Sequence, residues 1–171
     1  MNILIQQIDV FTIKMPHHYR VGGHTETPGR LPGTDYYIEP QWVHAYSSFL
    51  ESCIVKITAD DGTVGWGEAQ APLTPETPAT LITTLLGPAL LGQNPLATSA
   101  LNDRLYHLML ARGHTGSFLM DAIAGLDIAL WDLKARRYGV PLCELLGGPF
   151  SQELPAYVSG LRVKGLDAKI A

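Results

Sequence analysis

Cysteines and charged residues are scarce in this chain of 171 residues. Charged residues make up only 16% of the sequence, the formal net charge is −4, and no basic run is longer than Arg136-Arg137. This composition argues against a nucleic-acid partner and against an anionic membrane surface. The two cysteines, Cys53 and Cys143, lie far apart in apolar segments. We therefore expect two buried thiols in a reducing compartment rather than a disulfide framework.

Targeting, membrane and common catalytic signals are missing as well. The N-terminal stretch lacks the charged and apolar regions of a signal peptide. Every apolar run is shorter than the roughly 20 residues that a membrane span requires. The sequence also contains no P-loop, dinucleotide fingerprint, nucleophile elbow or HExxH zinc motif. We expect a cytoplasmic protein without a membrane partner, and these motifs assign it no catalytic or metal-binding residue.

The pattern of apolar residues changes from strand-like to helical along the chain. Three strands are predicted, at residues 3–14, 48–59 and 63–69. Three helices are predicted, at residues 75–86, 96–111 and about 117–138, the first of which ends at Gly87-Pro88. Strands followed by helices indicate an α+β fold, here a three-stranded antiparallel meander followed by a three-helix bundle. A further short strand at residues 154–159 has no predicted partner.

Residues 15–46 differ in composition from the rest of the chain. This segment is rich in proline and glycine and also carries histidines, tyrosines and a tryptophan. A loop of this length inside a compact domain is uncommon and is usually functional or disordered. Its aromatic side chains differ from the composition of a solvated linker, so we interpret it as a lid. Its histidines lack the spacing of zinc-binding pairs, and we do not expect a zinc site there.

Two carboxylates on the third predicted helix are interpreted as structural. Asp127 and Asp132 are five residues apart in the sequence. That spacing places them about 140° apart around a helix, so they cannot share a metal ion or act as an acid/base pair. We expect them to bind Arg104, Arg136 or a neighbouring backbone amide.

The third predicted strand carries two glycines and one acidic residue. Gly65 and Gly67 flank Trp66, and they indicate a bulge or a close approach of another backbone. Glu68 lies at the end of the strand, where it either faces a site or hydrogen-bonds to the sheet or a loop.

Three segments carry a resemblance to a known family. The longest, residues 122–147, reads AIAGLDIALWDLKARRYGVPLCELLG. It resembles the first signature of the mandelate racemase and muconate lactonizing enzyme group of the enolase superfamily. The hairpin at residues 61–69 resembles the third strand of that family, and LPAYVS at residues 154–159 resembles the first strand of its catalytic barrel.

The resemblance implies a division of the chain. Residues 1–140 would form the enolase-type N-terminal capping domain, with residues 15–46 as its substrate lid. Residues 141–171 would form a linker and the first strand of a truncated catalytic domain. A complete (β/α)₈ barrel needs roughly 250 residues, so the barrel itself is absent from this sequence.

The resemblance also implies a chemistry. Members of the family abstract a proton α to a carboxylate, and Mg²⁺ stabilises the resulting enediolate. The metal ligands and the base lie on the barrel, so we expect no catalytic and no metal-binding residue in this chain. The intact parent would be a Mg²⁺-dependent lyase or racemase, most readily an acid-sugar dehydratase, and a homo-oligomer. The chain alone would have no turnover and would bind no Mg²⁺ cofactor.

The implied partners are a small hydroxy-carboxylate or acid sugar and the missing barrel domain. Lid side chains that would meet the hydroxyls and the carboxylate of such a substrate are Tyr19, His24, Arg30, Tyr36, Tyr37 and Trp42. The alternative is a non-catalytic interaction module, or relic, of the same fold. An isolated cap should expose apolar surface and self-associate, whereas an independent module should be a monodisperse, cooperatively folding domain.

Overall fold

Two antiparallel sheets and a layer of helices make up the computed structural model, which describes residues 3–16, 29–39 and 43–157. The main sheet contains β1 (Ile5–Pro16), β5 (Phe49–Ala59) and β6 (Val64–Ala69) in the order β1-β5-β6. Both of its strand pairs are antiparallel, with Phe11 opposite Ile54 and Lys56 opposite Trp66. The predicted three-stranded meander is therefore confirmed, and each predicted strand lies within two residues of its observed position.

The helical layer follows the main sheet in the chain, as the α+β prediction requires. The helices are α1 (Glu76–Leu81), α2 (Gly87–Leu90), α3 (Thr98–Leu110), α4 (Phe118–Tyr138) and α5 (Leu142–Leu145), with a π-helical turn at Ile82–Leu86. The predicted break at Gly87-Pro88 is wrong, because α2 continues the helix to Leu90. Pro88 has no N–H to donate, but it lies in the first turn of α2, where proline is tolerated.

The core lies between one face of the main sheet and helix α4. Alternate residues of β5, among them Val55 and Ile57, are fully buried. The apolar stripe of α4 meets them with Leu126, Leu130 and Leu133, none of which is exposed to solvent. This is the arrangement that the strand and helix periodicities predict.

Small residues let β6 and α4 approach backbone to backbone. A Cβ atom added to Gly67 would lie 2.1 Å from the carbonyl oxygen of Gly125, and one added to Gly65 would lie 2.1 Å from that of Ala129. A Cβ atom on Gly125 would lie 2.9 Å from the backbone nitrogen of Ala69. The predicted close approach at Gly65 and Gly67 is confirmed, and the small residues of the helix signature have a packing reason.

The carboxylates of this layer hold structural positions. Asp132 Oδ2 accepts hydrogen bonds from the Trp66 backbone N–H at 2.9 Å and from Arg136 Nε at 2.8 Å. Asp127 takes a hydrogen bond from Asn102, and burial raises its pKa above the ordinary value. Arg104 instead bonds to Gln93, so the predicted contact of Arg104 with either carboxylate is not found in the described part of the chain.

Glu68 has a partner within the main sheet. Its Oε1 accepts a hydrogen bond from Ser52 Oγ at 2.6 Å, across the β5–β6 pair. Two roles were predicted for Glu68: it either faces a site or hydrogen-bonds to the sheet or a loop. This contact fits the second role.

The lid segment contains more regular structure than we predicted. Strand β1 extends to Pro16, and three short strands follow: β2 (Gly29–Arg30), β3 (Tyr36–Glu39) and β4 (His44–Ser47). They form a second antiparallel sheet in the order β2-β3-β4, here called the lid sheet. The expectation of a lid without strands was wrong because it rested on the proline and glycine content of residues 15–46 as a whole, whereas β3 and β4 contain neither residue.

Two local predictions near the C-terminal end were also wrong. Cys53 is buried as predicted, but Cys143, on the short helix α5, is exposed. Residues 154–157 are not in a strand, and residues 158 and 159 lie outside the described residues. A strand needs a hydrogen-bonded neighbour, and the two sheets of the described part offer residues 154–157 none. No helix among the described residues has the length and apolar character needed to cross a membrane.

Candidate functional site: the lid sheet and its attachment

The lid sheet has two faces that can be assigned from its register. Arg30 is opposite Tyr37, and Tyr37 is opposite Tyr46, so these three side chains share one face. Tyr36 is opposite Ser47, and both belong to the other face. The lid sheet therefore brings Arg30 and Tyr37, two of the predicted substrate-binding residues, together and turns Tyr36 away from them.

A compact turn joins β2 to β3. Thr34 Oγ1 donates a hydrogen bond to the carbonyl oxygen of Leu31 at 2.9 Å and accepts one from the Tyr36 N–H at 3.2 Å. Gly33 in this turn has a φ of 76°, a left-handed conformation that favours glycine. The proline, glycine and threonine of this stretch therefore form the turn that sets the register of Arg30 against Tyr37.

Arg30 and the aromatic pair form the first face. The Tyr37 and Tyr46 rings stack with centroids 5.9 Å apart and an interplanar angle of 26°. Tyr37 is only 3% exposed, whereas Arg30 is exposed. An exposed guanidinium beside packed aromatic rings suits a ligand carboxylate, which arginine binds with two parallel hydrogen bonds. Tyr46 was not among the residues predicted from the sequence, because its place on this face follows only from the pairing of β3 with β4.

Tyr36 joins the lid sheet to the rest of the domain. Its hydroxyl donates a hydrogen bond to Glu51 Oε2 at 3.1 Å and accepts one from the Thr74 backbone N–H at 3.0 Å. These two contacts satisfy the hydroxyl within the domain. The structure thus places Tyr36 as an attachment of the lid, and its predicted contact with substrate remains a prediction.

Glu51, on β5, is the buried acceptor at this attachment. Its side chain has no exposure to solvent. Ser47 Oγ donates a hydrogen bond to Glu51 Oε1, and Lys14 Nζ lies 3.7 Å from Oε2. A buried carboxylate is tolerated only when such partners compensate its lost hydration. The sequence contains a weak signal for this residue. Glu51 occupies one of the alternate, inward-facing positions of β5, and the inward-facing positions that follow it are all apolar.

Lys14 connects the attachment to helix α1. Its ammonium lies 2.9 Å from Glu76 Oε1 and 5.8 Å from the centre of the Tyr36 ring. The hydrogen bond to Glu76 is the main reason that the pKa of Lys14 is held above its usual range, with the Glu51 charge adding to it. The same bond lowers the pKa of Glu76. Both groups are therefore charged across the neutral range, and they tie β1 to α1 beside Glu51.

The remaining predicted lid residues cannot be placed. Tyr19, His24 and Trp42 lie outside the described residues. Their roles as substrate contacts stay predictions, as do those of Arg30 and Tyr37.

The described residues do not fit a magnesium ion. Within residues 3–16, 29–39 and 43–157, no three His, Cys, Asp or Glu side chains lie close enough to hold a metal. The acidic side chains described above are instead engaged with lysine, arginine, hydroxyl or amide donors. Hard cations such as Mg²⁺ need several oxygen ligands around one point, which this part of the chain does not offer.

An apolar surface follows helix α5. Phe150 is 92% exposed, Leu154 is 81% exposed and Tyr157 is 88% exposed. Phe150 and Leu154 line an open cavity of about 380 Å³ together with Cys143 and Leu146 of the α5 region. Large apolar side chains this exposed are typical of a surface that binds another chain segment or domain.

Known proteins resemble this chain in sequence. Residues 45–147 match the family profile described as mandelate racemase / muconate lactonizing enzyme, N-terminal domain. A D-galactarolactone cycloisomerase of Agrobacterium fabrum is 40% identical over 107 residues, which cover 63% of this chain and 27% of that protein. A D-galactonate dehydratase of Pectobacterium atrosepticum is 36% identical over 124 residues, which cover 72% of this chain and 29% of that protein. The chain thus spans less than a third of the length of either relative.

Solved structures resemble it in fold. A member of the enolase superfamily from Agrobacterium tumefaciens matches with a TM-score of 0.80 at 38% identity, covering 86% of this chain and 38% of that one. A mandelate racemase/muconate lactonizing protein from Paracoccus denitrificans, complexed with magnesium, matches with a TM-score of 0.62 at 28% identity, covering 90% of this chain and 32% of that one. The resemblance expected from the helix signature is confirmed.

Proposed function

Because this chain belongs to the mandelate racemase/muconate lactonizing enzyme family of the enolase superfamily, we propose that it is the capping and substrate-specificity part of an acid-sugar dehydratase. The whole enzyme would remove a proton α to a carboxylate and would depend on Mg²⁺. The observation that carries the proposal is the match of residues 45–147 to the N-terminal domain of the family, together with relatives named for acid-sugar chemistry.

The proposed substrate class follows from the relatives and suits the lid. D-Galactonate, named in the dehydratase relatives, is a carboxylate with several hydroxyls. Arg30, exposed on the lid sheet beside the Tyr37–Tyr46 pair, offers a guanidinium to such a carboxylate. In this proposal the lid closes over the substrate, excludes water and contributes to specificity, while the reacting groups come from the barrel.

The proposed division of labour assigns residues 1–140 to the cap and residues 141–171 to a linker and the first barrel strand. The exposed Phe150, Leu154 and Tyr157 support this division, because a barrel packed on the cap would cover them. Mg²⁺, which supplies charge stabilisation to an enediolate when bound, would be held by residues beyond those described. The cap's own residues bind, orient and enclose the substrate.

The test is to supply the missing part. The full chain is mixed with the remainder of the Pectobacterium D-galactonate dehydratase, lacking the segment that aligns with this chain, and a fusion of the two serves where the separate part does not fold. Each is assayed with Mg²⁺ on a panel of acid sugars. Dehydration removes the C2 proton and the C3 hydroxyl as water and leaves a 2-keto-3-deoxy acid, which is measured directly. Each part assayed alone is the control.

We expect turnover of at least one acid sugar by the combination and none by either part alone. Absence of turnover on the whole panel by a folded fusion would contradict the substrate class. A chain that is monodisperse, folds cooperatively and shows no affinity for the added part would instead favour the non-catalytic module or relic of the same fold.

A further inference from the structure

We propose that Glu51 is a positioning residue that holds the lid sheet on the body of the domain. Its buried carboxylate would thereby set where the Arg30 face of the lid rests. The inference rests on the proposed function only in taking the lid sheet to face the substrate. The contacts that support it belong to this chain alone.

The two oxygens of Glu51 receive the two hydroxyls of one cross-strand pair. Tyr36 and Ser47 are opposite each other in the β3–β4 ladder. Tyr36 Oη donates to Oε2 at 3.1 Å, and Ser47 Oγ donates to Oε1. A single carboxylate on β5 therefore binds two of the three strands of the lid sheet, β3 and β4, at the same point. Hydrogen bonds to a charged, desolvated acceptor are the stronger kind, which suits a fixed attachment.

Glu51 is in turn fixed from the side of the body. Lys14 is its register partner in the β1–β5 ladder, and Lys14 Nζ lies 3.7 Å from Glu51 Oε2 and 2.9 Å from Glu76 Oε1 of α1. If the Glu51 carboxylate turned away, both its negative charge and the Lys14 ammonium would be less well compensated. Strand β1 and helix α1 therefore hold the acceptor to which the lid sheet binds.

A strained residue adjoins the same point. Thr74 has a φ of 52°, a left-handed conformation that is unfavourable for a β-branched side chain. Its backbone N–H donates to Tyr36 Oη at 3.0 Å, so the hydroxyl that binds Glu51 also satisfies the donor of this residue. The lid strand, the body strand and the segment entering α1 all meet at Tyr36.

The attachment is local rather than part of the core. In the described residues the lid sheet and the main sheet share no strand ladder. The apolar core lies between β5, β6 and α4 and contains no residue of the lid sheet. Loss of the Glu51 contacts should therefore loosen the lid sheet while the core stays folded.

Hydrogen exchange of the full chain tests this inference. Tyr36→Phe removes one hydroxyl, and Glu51→Gln removes the charge. We expect amides of β3 and β4 to exchange about tenfold faster in either variant, the effect of losing a buried hydrogen bond, while amides of β5 and α4 change less than about twofold. Lys56→Met is the matched control, since it breaks the Lys56–Asp9 ion pair of the main sheet at 3.7 Å without touching the lid. It should leave exchange in β3 and β4 unchanged.

Two results would overturn the inference. Unchanged exchange in β3 and β4 of Tyr36→Phe would show that the contact does not hold the lid. Equal acceleration in the lid sheet and in α4 would show that the cluster serves only global stability. If Glu51→Gln fails to fold, the milder Tyr36→Phe decides. Because exchange requires neither substrate nor barrel, its outcome is separate from the success or failure of the acid-sugar assay.

Discussion

The backbone N–H of Trp66 donates a hydrogen bond to Asp132 Oδ2 at 2.9 Å and so ties strand β6 to helix α4. Among the described residues, strand β6 lies at the edge of the main sheet, where a backbone donor has no strand partner on its outer side. Asp132, on α4, supplies the missing acceptor for the Trp66 N–H. The same carboxylate oxygen also accepts a hydrogen bond from Arg136 Nε at 2.8 Å. A carboxylate of the family-like helix signature thus serves the sheet edge rather than a reaction.

Replacing Asp132 should destabilise the fold. Asp132→Ala leaves the Trp66 N–H without its charged acceptor, and hydrogen bonds to charged groups contribute about 1.5–3 kcal/mol. We expect a loss of that size in the free energy of unfolding, measured by urea denaturation. Asp103→Ala is the control, because Asp103 is an exposed residue of α3 whose side chain is 73% exposed. An equal loss in both variants would contradict the edge role of Asp132.

The backbone contact between β6 and α4 should not tolerate a methyl group. Gly67→Ala would place a Cβ atom 2.1 Å from the Gly125 carbonyl oxygen, which forces strand and helix apart. We expect a loss of about 3 kcal/mol in unfolding free energy, at the upper end of overpacking costs. A Cβ atom on Gly116 meets nothing within 4 Å, so Gly116→Ala should lose no stability. Similar midpoints of thermal unfolding for both variants would refute this packing account.

Asp127 should reduce stability at neutral pH. Burial raises its pKa, with the Asn102 hydrogen bond opposing the shift. A carboxyl whose folded pKa is raised releases its proton less readily than in the unfolded chain, so stability falls as pH rises above the ordinary pKa of about 3.9. Asp127→Asn should therefore raise Tm at pH 7, and the gain should shrink as the pH approaches 4. Asn102→Ala should lower Tm at pH 7, because it removes the hydrogen bond that Asp127 receives. A rise in the Tm of Asp127→Asn that is the same at pH 4 and at pH 7 would contradict the titration of Asp127.

The two cysteines should differ in reactivity. Cys53 is buried, and burial raises its pKa to about 11, whereas Cys143 is exposed. Since the thiolate is the nucleophile, iodoacetamide at pH 8 should add one group to the native chain, at Cys143, and two to the denatured chain. Peptide mass spectrometry distinguishes the sites. Alkylation of Cys53 in the native chain at a rate comparable to that of Cys143 would show that β5 is not packed as described.

Periodicity was sufficient to predict the body of the fold. The alternation in β5 and the apolar stripe of α4 reflect burial on one face, which is a property of the sequence itself. The glycines of β6 likewise signalled the close approach before its partner was known. The helix end predicted at Gly87-Pro88 was wrong. Helix α2 follows the π-helical turn at Ile82–Leu86 without a break, and Pro88 lies in its first turn, where proline is tolerated.

The lid shows where sequence reasoning stopped. Composition predicted that residues 15–46 form a lid, but it did not separate Arg30, which is exposed, from Tyr36, whose hydroxyl is bound within the domain. That distinction depends on a register of one residue between two short strands. Glu51 was overlooked for a similar reason, since its partners come from β1, β3 and β4, and only the folded chain brings them together.

The most direct test of the proposed capping role is the KM for the acid sugar that the fusion turns over, measured with the wild-type cap and with Arg30→Ala. If Arg30 binds the substrate carboxylate, losing a charge-assisted hydrogen bond should raise KM by about tenfold or more. Arg112→Ala, which removes an exposed guanidinium after α3 and outside the lid sheet, is the control. The account predicts a raised KM for Arg30→Ala alone, and equal kinetic constants for all three caps would contradict it.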